Sequence, residues 1–276
     1  MFNWVGNKIK YIEQIKSLAK DFKTVVDGMM GSGNVLIELA KTHEIIGNDI
    51  VKLMPDLYRY FDMFSISEEA FLCVIDQWHF SEKEHYYKFR KYWNNKYLGE
   101  DYNKLFLVET FLLLKMCSNS MVRFNSSREF NQGFRGCNGS FFKNADFKKW
   151  SKELNDVKLI LKNAKTTFSS VDILSFLLRN FDIKNTIFVF DPPYILANGM
   201  YSPHFSKITE QKILQQIALH KLNFVYFNFE TRENKTNEQI QNFAKQYKTV
   251  VLNIKSSTGQ GRKKTSEVKE VLITNI

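Results

Sequence analysis

Thr24-Val25-Val26-Asp27-Gly28-Met29-Met30-Gly31-Ser32-Gly33, followed by Asn34-Val35-Leu36-Ile37-Glu38-Leu39-Ala40, decides the fold of this chain. A short apolar run ends on an acid, a glycine turn follows, and apolar residues then return in a helical segment. The pattern is a buried strand, a turn and a helix. Ile45-Ile46-Gly47-Asn48-Asp49 supplies a second strand. A strand-turn-helix-strand unit implies parallel strands with a right-handed crossover. Glycines let the backbone turn sharply and let a ligand come close. The helix start offers N–H groups to a carboxylate or phosphate. Asp49 stands about 16 residues past Gly33, where a carboxylate reaches a ribose diol in nucleotide-binding α/β folds. Alone, the unit does not separate a nicotinamide cofactor from S-adenosylmethionine, and a purely structural glycine turn fits it too.

Upstream, residues 7–20 read as an amphipathic helix with Ile9, Ile12, Ile15, Leu18 and Ala19 on one side. Downstream, residues 56–164 are rich in aromatics and lysine and have little strand punctuation. Within them, residues 106–116 read as a buried helix, and 123–142, rich in Asn, Ser, Gly and Arg, as a loop or hairpin. The alternating pattern returns after about residue 165. Strands are expected at 186–190, 224–227, 249–254 and 268–273, and helices at 210–219 and 238–247. The expected architecture is α/β: a doubly wound, mostly parallel sheet built from residues 1–55 and 165–276, with an antiparallel strand near its C-terminal end. A mainly helical insertion, residues 56–164, carries the loop or hairpin.

Composition bounds the function. Of 276 residues, 44% are hydrophobic and 15% aromatic, enough to bury a core and argue against disorder. No apolar run reaches the roughly 18 residues of a membrane span, and the first residues lack the apolar stretch of a secretory signal. A soluble, intracellular protein is expected. Cys73, Cys117 and Cys137 match neither a disulfide framework nor a zinc site and read as free thiols. The five histidines (His43, His79, His85, His204 and His220) lack metal-ligand spacing, so no metal is expected.

The formal charge is +10. Such an excess suits a polyanion, because each Lys or Arg set against a phosphate releases counterions, although a merely basic surface gives the same total. Distribution favours the polyanion. Between Lys115 and Trp150 there are seven basic residues (Lys115, Arg123, Arg128, Arg135, Lys143, Lys148 and Lys149) and two acidic ones (Glu129 and Asp146). Arg262-Lys263-Lys264 is a second cluster.

The most specific constellation is Asp191-Pro192-Pro193-Tyr194, directly after the apolar strand at 186–190. Ligands of open α/β sheets bind at the C-terminal ends of the strands. An Asp there accepts a hydrogen bond from an amine, and prolines leave a fixed acceptor array of carbonyls. The aromatic offers a stacking face for a base taken out of its duplex. The exocyclic N6 amine of adenine is a poor nucleophile because its lone pair is delocalised. Two acceptors on its hydrogens, Asp191 and the Pro192 carbonyl, would draw the nitrogen towards sp³ and expose that pair. Two of the chain's four prolines fall in this turn, which weighs against an incidental strand end.

With the glycine unit far upstream, Asp-Pro-Pro-Tyr resembles the Dam-type (D12 class) family of DNA adenine-N6 methyltransferases, and the likeness runs along nearly the whole chain in the family's order. Trp4-Val5-Gly6-Asn7-Lys8 is similar to the N-terminal segment that helps hold the methionine end of S-adenosylmethionine. Asp27 to Gly33 resembles the glycine motif and Asp49 the ribose-binding acid. Phe168 to Asp172 resembles the segment whose Asp receives the cofactor's adenine amine. The resemblance thus implies a Rossmann-like catalytic domain and a cofactor site of Trp4, Gly6, Lys8, Asp27, Met29, Gly31, Gly33, Asp49, Asp172 and Asp191. It also implies a catalytic turn of Asp191, Pro192, Pro193 and Tyr194.

Arg123-Phe124-Asn125 through Glu129-Phe130-Asn131 looks like the family's DNA-reading hairpin, so residues 56–164 are expected to be the target-recognition domain. Arg262-Lys263-Lys264 resembles the basic turn before the last strand. Asn119, Arg123, Asn125, Arg128, Asn131, Arg135, Lys148, Arg262 and Lys263 are the expected DNA contacts. The chain departs from the family at Gly28-Met29, where Pro-Phe is usual, at Asn3 and Asn7, and at Ser118, which replaces a wedging aromatic. The implied partner is double-stranded DNA at a short, GATC-like site, met by a monomer in a bacterial or phage-encoded setting, with a companion restriction endonuclease as a further partner. Two other readings differ from this one. A cytosine-N4, RNA or protein-glutamine methyltransferase would usually carry Ser or Asn at position 191. A non-catalytic DNA-binding protein would not need the Asp191–Tyr194 run together with Gly31 and Gly33.

Overall fold

The computed structural model describes residues 2, 6–80, 82–135, 144–197, 205–253 and 268–276. The strands are β1 (Thr24–Asp27), β2 (Glu44–Asn48), β3 (Thr166–Ser169), β4 (Thr186–Phe190), β5 (Asn223–Arg232), β6 (Lys235–Thr236), β7 (Lys248–Asn253) and β8 (Val268–Thr274). The helices up to the second strand are α1 (Ile12–Ala19) and α2 (Asn34–Leu39), and then come α3 (Leu53–Arg59), α4 (Glu68–Trp78), α5 (Lys83–Leu98), α6 (Phe106–Met116) and α7 (Asn144–Asn163). The last three are α8 (Ile173–Leu177), α9 (Lys207–Leu219) and α10 (Glu238–Ala244).

The fold is α/β. The sheet runs β3-β2-β1-β4-β5-β8-β7, with β6 paired to β5. β1 is parallel to β2 and β4, and β4 to β5. β8 is antiparallel to both β5 and β7. Central position explains the apolar run of β4: it lies between β1 and β5, and all five of its residues are buried. A strand covered on both faces reads as continuous hydrophobics rather than as an alternation.

Two compact units emerge. One comprises Met1–Ile9, Gly31–Lys41 and Val51–Phe168, and the other Lys10–Met30, Thr42–Ile50 and Ser169–Ile276. The second has a core of sheet residues Val26, Phe188, Phe190, Phe224, Tyr226, Val271 and Ile273. Ile213 and Ile217 of α9 and Ile240 and Phe243 of α10 cover them. The first is held by aromatic packing: Trp93 stacks on Phe106 and Tyr97 and meets Phe130 edge-on. α6 is buried at every position except Lys115, and its Glu109 forms a buried ion pair with Lys96 of α5 at 2.5 Å. No helix among the described residues is long and apolar enough to cross a membrane.

Candidate active site

Strand order sets four acidic residues along one edge of the second unit. β3, β2, β1 and β4 are neighbours in that sequence, and their C-terminal ends lead into Asp172, Asp49, Asp27 and Asp191 respectively. Asp27 and Asp49 are buried, Asp191 is half-buried and Asp172 is exposed.

Asp27 and Asp172 are held by their own loops, and the Asp49 backbone is tied to the end of β3. Asp27 Oδ1 accepts from the Met29 N–H at 3.0 Å, which closes the start of the glycine turn. The Asp49 N–H donates to the Ser169 carbonyl at 3.2 Å. Asp172 N-caps α8, its Oδ1 accepting from the N–H groups of Leu174 at 2.9 Å and Ser175 at 3.2 Å. Met29 packs against the sheet core. A Cβ at Gly28 would lie 2.4 Å from Ile173 Cδ1 of α8, so a side chain there would require the end of Ile173 to shift.

Asn48, which the sequence reading passed over, ties three of these loops together. It is fully buried. Its Nδ2 donates to the Gly28 carbonyl at 3.0 Å and to the Val171 carbonyl at 2.9 Å. Its Oδ1 accepts from the Ser169 hydroxyl at 2.9 Å and the Val171 N–H at 3.0 Å. Its backbone carbonyl accepts from the Met30 N–H at 2.9 Å.

After Asp191, Pro192 is buried and Pro193 half-buried. Tyr194 is buried and meets Phe229 of β5 edge to face at 4.5 Å. Its hydroxyl donates to Glu270 of β8 at 2.8 Å. Burial, with the Asp191 and Glu270 carboxylates beside it, pushes the Tyr194 phenol far up.

The other nominated cofactor residues belong to the first unit. Gly31 and Gly33 take left-handed φ values of 52° and 70°, a conformation glycine adopts at no steric cost. Gly33 caps α2, its carbonyl accepting from the Ile37 N–H at 2.9 Å. Tyr58 of α3 donates to the Ser32 carbonyl at 2.6 Å and holds the turn from outside. Gly6 is also left-handed, at φ 78°, and its carbonyl accepts from the buried Lys8 Nζ at 2.6 Å.

The expected reading hairpin is present in the first unit. Phe124 and Phe130 face each other as an antiparallel bridge, and the Asn131 N–H donates to the Arg123 carbonyl at 3.1 Å. At the tip, Arg128 takes a left-handed φ of 61°. Asn125 is spent on the turn: its Oδ1 accepts from the Glu129 N–H and its Nδ2 donates to the Glu129 carboxylate, both at 2.9 Å. Asn94 of α5 anchors the returning arm by exchanging two hydrogen bonds with the Phe130 peptide, at 3.1 and 2.8 Å. Tyr86 and Arg90 both donate to the Gln132 carbonyl at 2.8 Å. Arg123, Arg128, Asn131 and Arg135 are exposed on this frame, as is Lys148 of α7. Lys115, at the end of α6, lies over the Phe111 and Trp150 rings. Its ammonium is pushed down first by burial and further by Lys149 and Arg135, against the opposing pull of Glu153 and Asp146.

The sequence profile of the D12 class N6 adenine-specific DNA methyltransferases matches residues 4–260. The chain belongs to that family. Among its relatives are Modification methylase StsI of Streptococcus sanguinis, 27% identical over 293 aligned positions, and Type II methyltransferase M.FokI of Planomicrobium okeanokoites, 27% identical over 288. Each alignment covers 99% of this chain and 42% of the relative. The chain therefore spans about two-fifths of the length of these curated relatives.

In this D12-class chain, Trp4, Arg262 and Lys263 lie outside the described residues, as do Cys137 and His204. Asn119 falls in a short 3-10 turn, Ser118–Ser120. Among the described residues, no three His, Cys, Asp or Glu side chains gather as a metal site. Sequence reasoning missed Asn48, Asn94, Ser169 and Glu270. Glu270 carried a signal, being an acid directly before the apolar run Val271-Leu272-Ile273, whereas Asn48 was overshadowed by the acid beside it.

Proposed function

We propose that this chain transfers a methyl group from S-adenosylmethionine to the N6 amine of adenine in duplex DNA. The observation that carries the reading is Asp191-Pro192-Pro193-Tyr194 at the C-terminal end of β4, beside the β1 end that leads into the glycine turn. The residues fit the cofactor. The half-buried to buried acids at the ends of β4, β1 and β2 suit hydroxyl and amine donors. Two left-handed glycines give a backbone that a ligand can approach closely. Lys8, Gly31, Gly33, Asp27 and Met29 would hold its methionine end, Asp49 its ribose and Asp172 its adenine. When bound, S-adenosylmethionine supplies an electrophilic methyl carbon on a sulfonium with its own leaving group.

The chain's residues then have to align and desolvate the amine. Asp191 and the Pro192 carbonyl accept its two hydrogens and localise its lone pair, while Pro193 stiffens the turn. Tyr194 borders the adenine, which must leave the stack for its amine to reach this edge. Residues 56–164 serve as the recognition region. Within it, Arg123, Arg128, Asn131 and Arg135 meet base edges, Asn119 is a further DNA contact, and Asn125 shapes the turn that presents them. Lys148 and the Arg262-Lys263 pair meet phosphates. The site is a short duplex sequence, GATC-like by resemblance, and the enzyme acts as a monomer in the cytoplasm. The names of its two relatives, a modification methylase and a type II methyltransferase, favour a role beside a restriction endonuclease.

The test is incubation with labelled S-adenosylmethionine and duplex DNA, followed by nucleoside mass spectrometry. N6-methyladenine is expected, and Asp191→Ala should abolish it while leaving DNA binding largely intact. Label in N4-methylcytosine, in RNA alone or in no nucleic acid would overturn the reading.

A further inference from the structure

Two cations at the end of β5 have no part in the chemistry above. Phe190, the last residue of β4, pairs with Tyr226, and β5 runs on past it to Arg232. Arg232 therefore lies beyond the sheet end that leads into Asp191. There the chain turns through Glu233, at a left-handed φ of 56°, and β6 returns with Lys235 directly opposite Arg232. Like charges set opposite one another on paired strands are destabilising. The Glu230 carboxylate is taken by Lys269 at 2.9 Å, and among the described residues neither Arg232 nor Lys235 has an ion-pair partner. Arg232 Nε is also buried with no hydrogen-bond partner among the described residues, a costly state for a charged donor.

The guanidinium lies over the Phe229 ring, 5.8 Å from its centroid, and the same ring meets Tyr194 at 4.5 Å. One aromatic ring thus separates Arg232 from the side chain proposed to border the adenine. A nucleotide is built alike, with one sugar between its base and its phosphates. We propose that Arg232, assisted by Lys235, binds a DNA phosphate flanking the target adenine. A phosphodiester supplies both the acceptor that Nε lacks and the negative charge that offsets the Arg232–Lys235 repulsion. The contact rests on the proposed adenine methylation and deepens it, adding a grip on the nucleotide being methylated.

The full chain and its variants test this contact. Arg232→Ala should weaken binding to a duplex carrying the mapped methylation site roughly ten- to a hundredfold. It should also lower the salt slope by about one and leave affinity for S-adenosylmethionine unchanged. Arg232→Lys keeps the charge but not the fork, so it should restore the slope and only part of the affinity. Lys235→Ala, at an exposed position, should weaken binding less. Its urea midpoint should equal or exceed that of wild type, because it removes a repulsion. If Arg232→Ala does not fold, Arg232→Gln takes its place. The decisive probe is the same duplex with one phosphate neutralised as a methylphosphonate, beside the target adenine or several base pairs away. One of the two flanking substitutions should slow wild-type methylation and slow Arg232→Ala no further. The distant one should affect both proteins alike.

Absence of N6-methyladenine with the wild type defeats the underlying function rather than this contact, which the salt slope on a mixed-sequence duplex then still reads. A slope in Arg232→Ala equal to that of wild type overturns the contact. So does an active wild type that loses as much as Arg232→Ala does at both flanking methylphosphonates.

Discussion

Asn48 and Val171 are joined twice, the Asn48 amide donating to the Val171 carbonyl at 2.9 Å and the Val171 N–H donating back to the Asn48 carboxamide oxygen at 3.0 Å. A side chain here imitates one rung of a β-ladder. It locks the loop that bears Asp172 to the strand end that bears Asp49, and its further bond to Gly28 adds the loop after Asp27.

Asn48→Ala should therefore be costly. It leaves the Gly28 carbonyl and both polar groups of the Val171 peptide without this partner, at roughly 1–3 kcal/mol for each buried group orphaned. The loss should approach about 4 kcal/mol, near the upper end for single substitutions. Asn48→Asp should be no better, because it sets a carboxylate oxygen against two carbonyls. Urea denaturation measures the loss, and a midpoint within experimental error of wild type would refute the clamp.

Asp49→Ala should act on binding more than on folding. A lost hydrogen bond to a charged acceptor costs about 1.5–3 kcal/mol, so affinity for S-adenosylmethionine should fall roughly 10- to 150-fold. Calorimetry on the purified variant decides the point. Unchanged affinity would remove Asp49 from the ribose site.

Substitutions in the hairpin tell the proposed base reading apart from scaffolding. Arg123→Ala should cost about 1–3 kcal/mol on the cognate site and blur discrimination at one base pair. Lys148→Ala should weaken binding to all sequences alike and reduce the salt slope by about one. Asn125→Ala should loosen the turn, because its amide is engaged by Glu129. Methylation of a library of single-base site variants distinguishes these outcomes; identical profiles for wild type and Arg123→Ala would show that Arg123 reads no base.

Cys117 gives a pH dependence. Burial pushes its thiol up to about 11 from an ordinary value of 9.0. A group whose folded pKa lies above its unfolded value contributes stability that is complete below about pH 9 and is lost as the pH rises through about 11. The loss is at most about 2–3 kcal/mol. Cys117→Ala should flatten the fall in urea midpoint between pH 9 and 11, and an equally steep fall would assign the effect to other groups. Cys73, which is exposed, should react with a thiol reagent at pH 8 well before Cys117.

The sheet was legible because its strands obey simple rules. The central β4 reads as a run of four apolar residues after Thr186 because both its faces are covered, and its expected bounds match the observed ones, as do those of β1 and α6. The helix expected at 7–20 instead begins as a 3-10 turn, Lys8–Tyr11, before α1. β6, two residues long, is too short to show a period, and β3, Thr166-Thr167-Phe168-Ser169, offers a single apolar residue. In the candidate site, the acids were legible because they end strands. The asparagines that fix the loops were not. Asn48 pairs with residue 171 and Asn94 with residue 130, and contacts made across such separations leave no local pattern. Asn125 shows the converse: an amide suited to a base edge is spent on its own turn.

The insertion of β8 between β5 and β7 also dictates an order of events during synthesis. β7 touches the sheet through β8, and β8 pairs residues as distant as Val225 and Thr274. Until residue 274 has cleared the ribosome, β5 keeps one edge open and β7 has no partner. The half-exposed Val250 and Val251 of β7 would meanwhile be available to neighbouring chains. The nascent protein is thus most exposed to aggregation in the interval between the emergence of β7 and that of β8, and trimming a few residues from β8 should cost it two ladders at once.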